Sequence, residues 1–213
     1  MSRFFRHFGL VNRHRWHVFT NGCRCGIGFH CFFHDLSKYH PKEFLRSVKY
    51  FNGKHSPVFE ERLQNDYFSF ICQRHTRRNK HHWEYWTDYF QGHILAMTMP
   101  WKYATEYVCD MLSASYCYDP KTFTKEKTLN YFLARADHYY MSDATREYVA
   151  WCLTRYRDLG FAGLKKKDTQ KAYEEITARH DRVKVYDALA QVDALPPRAN
   201  EFIIPSSLQD KQP

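Results

Sequence analysis

Residues that form tight turns are scarce in this chain, which has only 8 Gly and 8 Pro among 213 residues. Together they make up about 7.5% of the positions, against roughly 12% in an average protein. An all-β fold needs many tight turns, so this scarcity argues against one. Apolar residues instead recur at helical spacing along most of the chain. The sequence therefore predicts an all-α fold.

The few glycines and prolines mark the ends of the predicted helices. Pro41 suits the first position of a helix, Ser56-Pro57 gives a second start, and Gly160 follows the end of another helix. Besides a short helix ending near residue 37 and one that starts at 57, the pattern predicts helices over 3–21, 41–52, 66–90, 100–118, 124–139, 142–159 and 169–189.

The length and composition predict one main domain. An apolar fraction of 44% and a charged fraction of 26% are ordinary for a folded globular protein. We expect residues 1–118 to form a helical core and residues 119–190 a helical extension packed on it. Residues 191–213 show no periodicity, and we expect a flexible tail there.

The chain is basic, with a net charge of +9 and a pI near 9.2. Such a charge favours anionic partners such as phosphates, nucleotides or nucleic acid. The seven cysteines are odd in number and mostly lie beside apolar residues, which is typical of buried thiols in a reducing compartment. The least polar stretch, 25–33, is much shorter than the roughly 20 residues of a membrane span. We therefore expect a cytoplasmic protein without a membrane partner.

The residues most suggestive of chemistry surround one of two His-Asp pairs. The second pair, His180-Asp181, lies in the charged run 179–184, which is typical of a solvated helix face. The first pair, His34-Asp35, stands on an apolar segment and is followed by Lys38. Further histidines and aspartates occur before and after it. We therefore take the first pair as the centre of a candidate site.

The chain resembles the HD superfamily of metal-dependent phosphohydrolases, whose signature is a His, a later His-Asp pair and a distant Asp. It resembles more closely an uncharacterised family of small bacterial and phage proteins. The matching stretches, which together cover about 4–118, are His14 to Phe19, His34 to Lys38, His75 with Arg78 to Trp86, and Met99-Pro100 through Glu106 to Asp110. The resemblance implies an HD-domain-like helical bundle.

The same resemblance implies a divalent metal centre with one or two ions. The implied ligands are His14, His34, Asp35 and Asp110 for one ion, and Asp35 as a bridge with His75 and His82 for a second. The family pattern favours His14 over His17, which is the alternative ligand on the same helix. Imidazole and carboxylate ligands suit Mn, Fe, Co, Ni or Zn, and the sequence does not choose among these metals.

Helix geometry limits which of these residues can meet. His14 and His34 can share a metal only if the chain reverses between them, and Gly22, Gly26 and Gly28 provide a place for that reversal.

On one continuous helix over 66–90, His75, Asn79 and His82 share a face. His81 then lies about 120° away from that face. A break near Asn79 would instead bring His81 or His82 inward, so both remain candidates.

The remaining candidates are charged residues that fit a phosphate substrate. Lys38 is suited to orient a water molecule or bind a phosphate oxygen, and Glu106 to an acid–base or supporting role. A basic run that flanks the second histidine group is suited to hold an anionic substrate: Arg74, Arg77, Arg78 and Lys80.

The expected function is that of a metal-dependent phosphohydrolase acting on a nucleotide or another small phosphate ester. One alternative is an HD-type di-iron oxygenase, since some proteins of that superfamily use the same ligand pattern to activate dioxygen. Another is a basic nucleic-acid-binding module without catalysis, suggested by the basic run and its aromatic neighbours. The sequence leaves the oligomeric state open.

Overall fold

Helices dominate residues 2–187, the part of the chain that the computed structural model describes. The α-helices there are α1 (Arg3–Arg24), α2 (Gly28–Phe32), α3 (Pro41–Tyr50), α4 (Pro57–Gln64), α5 (Phe70–Thr76), α6 (Trp101–Tyr118), α7 (Lys125–Leu133), α8 (Asp143–Leu159) and α9 (Lys166–Thr177). One small antiparallel sheet joins β1 (Thr87–Phe90), β2 (His93–Met97) and β3 (Val183–Asp187). The prediction of a predominantly helical fold is confirmed. The tail predicted over 191–213 lies outside the described residues.

The predicted helix starts are found where the sequence places capping residues. Ser56 Oγ accepts a hydrogen bond from the backbone N–H of Phe59, and Pro57 opens α4. Ser142 Oγ accepts one from the N–H of Thr145 at the start of α8. Each such cap satisfies a backbone donor that the first turn leaves unpaired, and contributes about 1 kcal/mol.

One hydrophobic core runs through most of the helices. Val18 of α1, Leu112 of α6, Phe132 of α7 and Leu153 of α8 are all buried in it. Burying a side chain of this size contributes roughly 1.5–3 kcal/mol. The core therefore contains residues from both sides of residue 118, where the sequence analysis separates a core from its extension. The seven cysteines are free thiols, and five of them are buried.

The continuous helix predicted over 66–90 is wrong. Helix α5 ends at Thr76, and the chain then turns and enters a β-hairpin made of β1 and β2. Gln91 and Gly92, the two residues of the hairpin turn, both have positive φ angles of 46° and 83°. Positive φ angles at both positions are typical of one of the two favoured two-residue hairpin turns, whose twist matches that of the strands. Thr87, Tyr89 and Phe90 in β1 are residue types that favour strands.

Two later helices are also shorter than predicted. The helix expected over 169–189 ends at Thr177, and residues 183–187 form β3, which pairs antiparallel with β2. The helix expected over 124–139 ends at Leu133 and is followed by a single 3-10 turn, Ala136–His138.

No helix within the described residues is both long and apolar enough to cross a membrane.

Candidate metal centre

A chain reversal after α1 creates the first half of the site. Gly26 has a positive φ of 74°, and α2 then packs back against α1. A side chain at Gly22 would place its Cβ 2.5 Å from the Sγ of Cys31, so only glycine allows this close approach of the two helices. The reversal brings His34, which follows α2, to His14 of α1, as the sequence analysis required.

Four of the predicted ligands meet at this point. Nε2 of His14 lies 2.9 Å from Oδ1 of Asp110, which α6 contributes. Nε2 of His34 lies 3.1 Å from Oδ2 of Asp35 and 3.4 Å from Nε2 of His14. His14, His34 and Asp35 are buried. The alternative to His14, His17, is half-buried and packs its ring 4.9 Å from that of Tyr116 instead.

Asp35 occupies a left-handed backbone conformation, with φ 55° and ψ 27°. Aspartate tolerates this region better than most residues other than glycine. The residue opens the 3-10 turn Leu36–Tyr39, which carries Lys38 back over the carboxylate. Nζ of Lys38 lies 2.6 Å from Oδ2 of Asp35. The local turn therefore places a cation beside the predicted metal ligand.

A second group of histidines approaches the same carboxylate from α5 and the turn after it. Nε2 of His75 lies 3.2 Å, and Nε2 of His81 3.3 Å, from Oδ1 of Asp35. The ring of His82 lies 4.3 Å from that of His81, centroid to centroid. Because α5 ends at Thr76, His81 and His82 are not on one helix with His75, and His81 is not held away from the other two. The structure brings all three histidines to Asp35.

The turn itself is held by Asn79, where the sequence analysis considered a break. The Nδ2 of Asn79 donates to the backbone oxygen of His75 and to Oγ of Ser37. Ser37 belongs to the 3-10 turn that follows Asp35, so this contact ties the second histidine group to the first.

Two buried carboxylates lie behind the imidazoles. Oε1 of Glu106 is 2.9 Å from Nδ1 of His34 and 3.2 Å from Nδ1 of His81. Oε1 of Glu43 is 2.8 Å from Nδ1 of His75. An ionised carboxylate only accepts hydrogen bonds, so each Nδ1 is the donor. Burial lowers the pKa of His34 and of His75, but the facing carboxylates outweigh it and raise both, for His75 to about 9. A cation bound at Nε2 would take the place of the proton there.

Sequence reasoning missed Glu43 and gave His30 no role in the site, although Nε2 of His30 lies 2.7 Å from Oε2 of Glu106. Neither residue has a local signal, because only the packing of distant helices brings it to its partner.

The family described as "Family of unknown function (DUF5662)" matches residues 3–155. The chain belongs to this family. The matched stretch contains both ligand groups and the two carboxylates behind them. No curated protein and no solved structure matches the chain.

In this DUF5662 chain the site keeps its aspartates ionised. Burial raises the pKa of Asp35, but His34, Lys38 and His75 outweigh it, so that pKa lies well below its usual value. Burial likewise raises the pKa of Asp110, and hydrogen bonds from His14 and His34 reverse the shift. Burial lowers the pKa of Lys38, but Asp35 and Asp110 raise it above its usual value. The neighbouring cationic groups therefore keep the carboxylates of Asp35 and Asp110 ionised.

The donor set of this family member fits a divalent metal. The candidate ligand atoms form three groups, within each of which they lie no more than 4.8 Å apart: Asp35 with His75, His81 and His82; His14 with His34 and Asp110; His34 with His81 and Glu106. Both side-chain oxygens of Asp35 are buried and accept no hydrogen bond, although Lys38 pairs with one of them by charge. Buried acceptors without a hydrogen bond are rare and costly, and Oδ1 faces only the imidazole nitrogens of His75 and His81. A cation bound between these nitrogens and oxygens would satisfy them.

A cavity of about 200 Å³ opens beside these residues. His14, Lys38, His75, His82 and Asp110 all contribute to its lining. The candidate centre is therefore in contact with a space that can admit a small molecule.

The basic run lies elsewhere, because none of its four members is among the residues that line this cavity. Nη2 of Arg74 is 3.3 Å from Nδ1 of His40. Arg77 lines a separate surface depression, Arg78 is exposed, and the Nζ of Lys80 lies 5.8 Å from the rings of Tyr85 and Tyr103. Of the predicted substrate-binding cations, only Lys38 lies at the cavity.

Proposed function

We propose that this protein is a cytoplasmic, metal-dependent phosphohydrolase of HD type that acts on a small phosphate ester. The observation that carries the proposal is the position of Asp35. Its two carboxylate oxygens lie among imidazole nitrogens, accept no hydrogen bond, and have a lysine ammonium beside them at the edge of a cavity. Such a combination of metal ligands and a phosphate-binding cation suits phosphoryl chemistry.

In this proposal, the residues of the site have separate roles in metal binding and in substrate binding. His14, His34, Asp35 and Asp110 hold the metal, which when bound supplies charge neutralisation for a phosphoryl group and activation of water. Lys38, with three N–H donors and no acceptor, binds a phosphate oxygen of the substrate.

Glu106 and Glu43 hold the rings of His34, His81 and His75 in orientation through their Nδ1 atoms. Such outer contacts fix the tautomer of metal-binding histidines.

The contacts of Asp35 support a site with two ions. Oδ2 faces His34 and His14 at 3.1 and 3.8 Å. Oδ1 faces His75 and His81 at 3.2 and 3.3 Å. One carboxylate whose oxygens each face a separate histidine group is suited to bridge two metals.

The same observation favours one second candidate, the di-iron oxygenase of HD type. That chemistry needs two irons and therefore depends on the second histidine group, whereas a phosphohydrolase needs only the first. Metal content with visible absorbance separates the two candidates. Iron-loaded, coloured protein that consumes dioxygen supports the oxygenase, and colourless protein that releases phosphate with Mn, Co, Ni or Zn supports the hydrolase.

The direct test combines elemental analysis with a panel of phosphate esters assayed with each metal. Protein purified without chelator is expected to contain metal and to release phosphate, and His34→Ala is expected to lose both. His180→Ala is the matched control, since it removes the histidine of the other His-Asp pair, which contacts Glu147 instead. Full metal content in His34→Ala would contradict the proposed centre.

A further inference from the structure

The part of the cavity lining that the metal centre does not use is largely apolar. Leu10 and Val11 come from α1, Val58 from α4, Ile71 from α5 and Ala114 from α6. Four helices thus present aliphatic groups to a space that Asp110 and Lys38 also line. An apolar wall offers nothing to a phosphate or to a sugar hydroxyl, but it favours the burial of hydrocarbon.

The charges around the cavity limit its occupant to one strongly anionic group. Lys38 is the sole Lys or Arg among the described residues that line it, and two carboxylates, Glu43 and Asp110, line it as well. A second phosphate on the substrate would therefore meet no further cationic side chain in the cavity.

The size of the cavity also restricts the substrate. Its volume of about 200 Å³ compares with the ~150 Å³ of an engineered cavity that binds benzene. Sites for drug-sized ligands have roughly 300–1,000 Å³. A phosphate with a short carbon chain therefore fits this space better than a nucleotide with its sugar and base.

Among the described lining residues, three buried side-chain atoms have no hydrogen-bond partner: Nδ1 of His7, Oε2 of Glu43 and Nε2 of His82. Of these, only His7 lies away from the candidate metal centre. His7 is only 6% exposed and its Nδ1 makes no hydrogen bond. Its ring packs 5.3 Å from that of Phe44 and 5.0 Å from that of Phe51. Burial, with a smaller effect of Lys38, lowers the pKa of His7 to about 4, so the ring is neutral at pH 7. A neutral imidazole suits an uncharged hydroxyl or carbonyl rather than a second anion.

We propose that the cavity binds the phosphate monoester of a short, uncharged aliphatic alcohol, with its chain against Leu10, Val58 and Ile71 and a single polar atom at His7. This inference rests on the proposed function for the position of the phosphate beside Lys38. It narrows the substrate class from phosphate esters in general to small aliphatic ones.

The test measures binding of alkylphosphonates, which resist hydrolysis, to the metal-loaded protein by calorimetry. Affinity is expected to rise about fourfold for each methylene from methyl- to butylphosphonate, the effect of burying one CH₂ group. Val58→Phe, which fills the space of the chain, should abolish that rise. Ile71→Ala, which enlarges the cavity, should extend the rise to longer chains. Equal affinity along the series in the wild-type protein, or tighter binding of adenosine monophosphate than of butylphosphonate, would overturn the inference.

A second comparison tests His7. Propylphosphonate with a terminal hydroxyl should bind more tightly than butylphosphonate, which has the same number of heavy atoms along its chain. His7→Phe, which keeps an aromatic ring between Phe44 and Phe51, should remove this preference and retain the dependence on chain length. The same preference in His7→Phe would exclude His7 as the polar contact.

Failure of the inference and failure of the proposed function give different results. A chain-length dependence without phosphate release from any ester would support the aliphatic pocket and contradict the hydrolase function. Phosphate release that is independent of the aliphatic chain would support the hydrolase function and contradict the aliphatic pocket.

Discussion

At the scale of single residues, Asp35 combines an unusual backbone with the central position in the site. Its φ is 55°, and its carboxylate is buried among the candidate metal ligands. Asparagine tolerates this backbone region almost as well, whereas alanine is strained there by roughly 1–2 kcal/mol. The two substitutions therefore separate the charge of Asp35 from its conformation.

We expect Asp35→Asn to stay folded but to lose more than nine-tenths of its metal, because the amide carries no charge. Asp35→Ala should lose the metal and unfold at a lower temperature than Asp35→Asn. Elemental analysis and thermal unfolding followed by circular dichroism measure the two effects. An Asp35→Asn protein with wild-type metal content would show that the carboxylate is no ligand.

His7 carries a pH dependence that is independent of metal ligation. Burial lowers its pKa from about 6.5 to about 4. As the pH falls from 6.5 to 4, the unfolded chain binds a proton at His7 that the folded protein does not bind. Stability must therefore decrease over that window, by at most about 1.4 kcal/mol per pH unit for one proton.

The expected result is that wild-type protein loses more unfolding free energy between pH 6.5 and 4.5 than His7→Phe does. Urea unfolding of both proteins at each pH measures the difference, and other titrating groups cancel in the comparison. Parallel pH profiles would show that His7 titrates normally.

At the scale of elements, the region from 66 to 97 shows what sequence periodicity can decide. Helix α5 forms around His75 and brings its Nε2 to 3.2 Å from Oδ1 of Asp35. The helix was extended too far, because aromatic residues in 83–90 suit a strand as well as a helix and no proline interrupts them. The two-residue turn at Gln91-Gly92 was the available signal for the hairpin. The position of His81 depends on the turn at Asn79. That turn is held by a hydrogen bond from Asn79 to Ser37, a tertiary contact that local sequence patterns do not reveal.

The basic run is an element whose role depends on its distance from the cavity. Arg78 and Lys80 are exposed and do not line the cavity. They can still attract an anionic substrate through long-range electrostatics, which salt screens. Arg78→Gln with Lys80→Gln should therefore raise KM a few-fold at low salt and leave KM unchanged at 0.5 M salt, with metal content unaltered.

The matched control for that pair is Lys167→Gln with Lys171→Gln, which removes the same charge from the exposed face of α9. A KM increase that persists at high salt would indicate direct contact with the substrate. An unchanged KM at low salt would assign the run to the solvated surface, and salt-dependent oligonucleotide binding that the double variant loses would support the nucleic-acid module.

At the scale of the whole molecule, the sequence predicted the helical class and most helix starts, since these follow from local patterns. The region expected to be an extension, 119–190, contributes Phe132 and Leu153 to the same core as Val18 and Leu112. Such sharing depends on how helices pack, and helical periodicity specifies only that each one has an apolar face. The site shows the same limit. The His-Asp pair was visible in the sequence. Glu43 and Glu106 lie on α3 and α6, and only the packing of these helices brings their carboxylates to the imidazoles.

A metal at this site would link α1, α5, α6 and the turn after α2, so its removal should affect the stability of the whole protein. An ion present at 100 times its dissociation constant stabilises the folded state by about 2.7 kcal/mol. For a protein of this size, that corresponds to a fall in Tm of roughly 5–10 °C on chelation. Scanning calorimetry before and after chelator treatment, and after metal is added back, measures the shift. His180→Ala should respond as the wild type does, whereas Asp35→Asn, which lacks the charge that holds the ion, should show no response. A Tm that chelation leaves unchanged in metal-loaded protein would place the bound metal outside these helices.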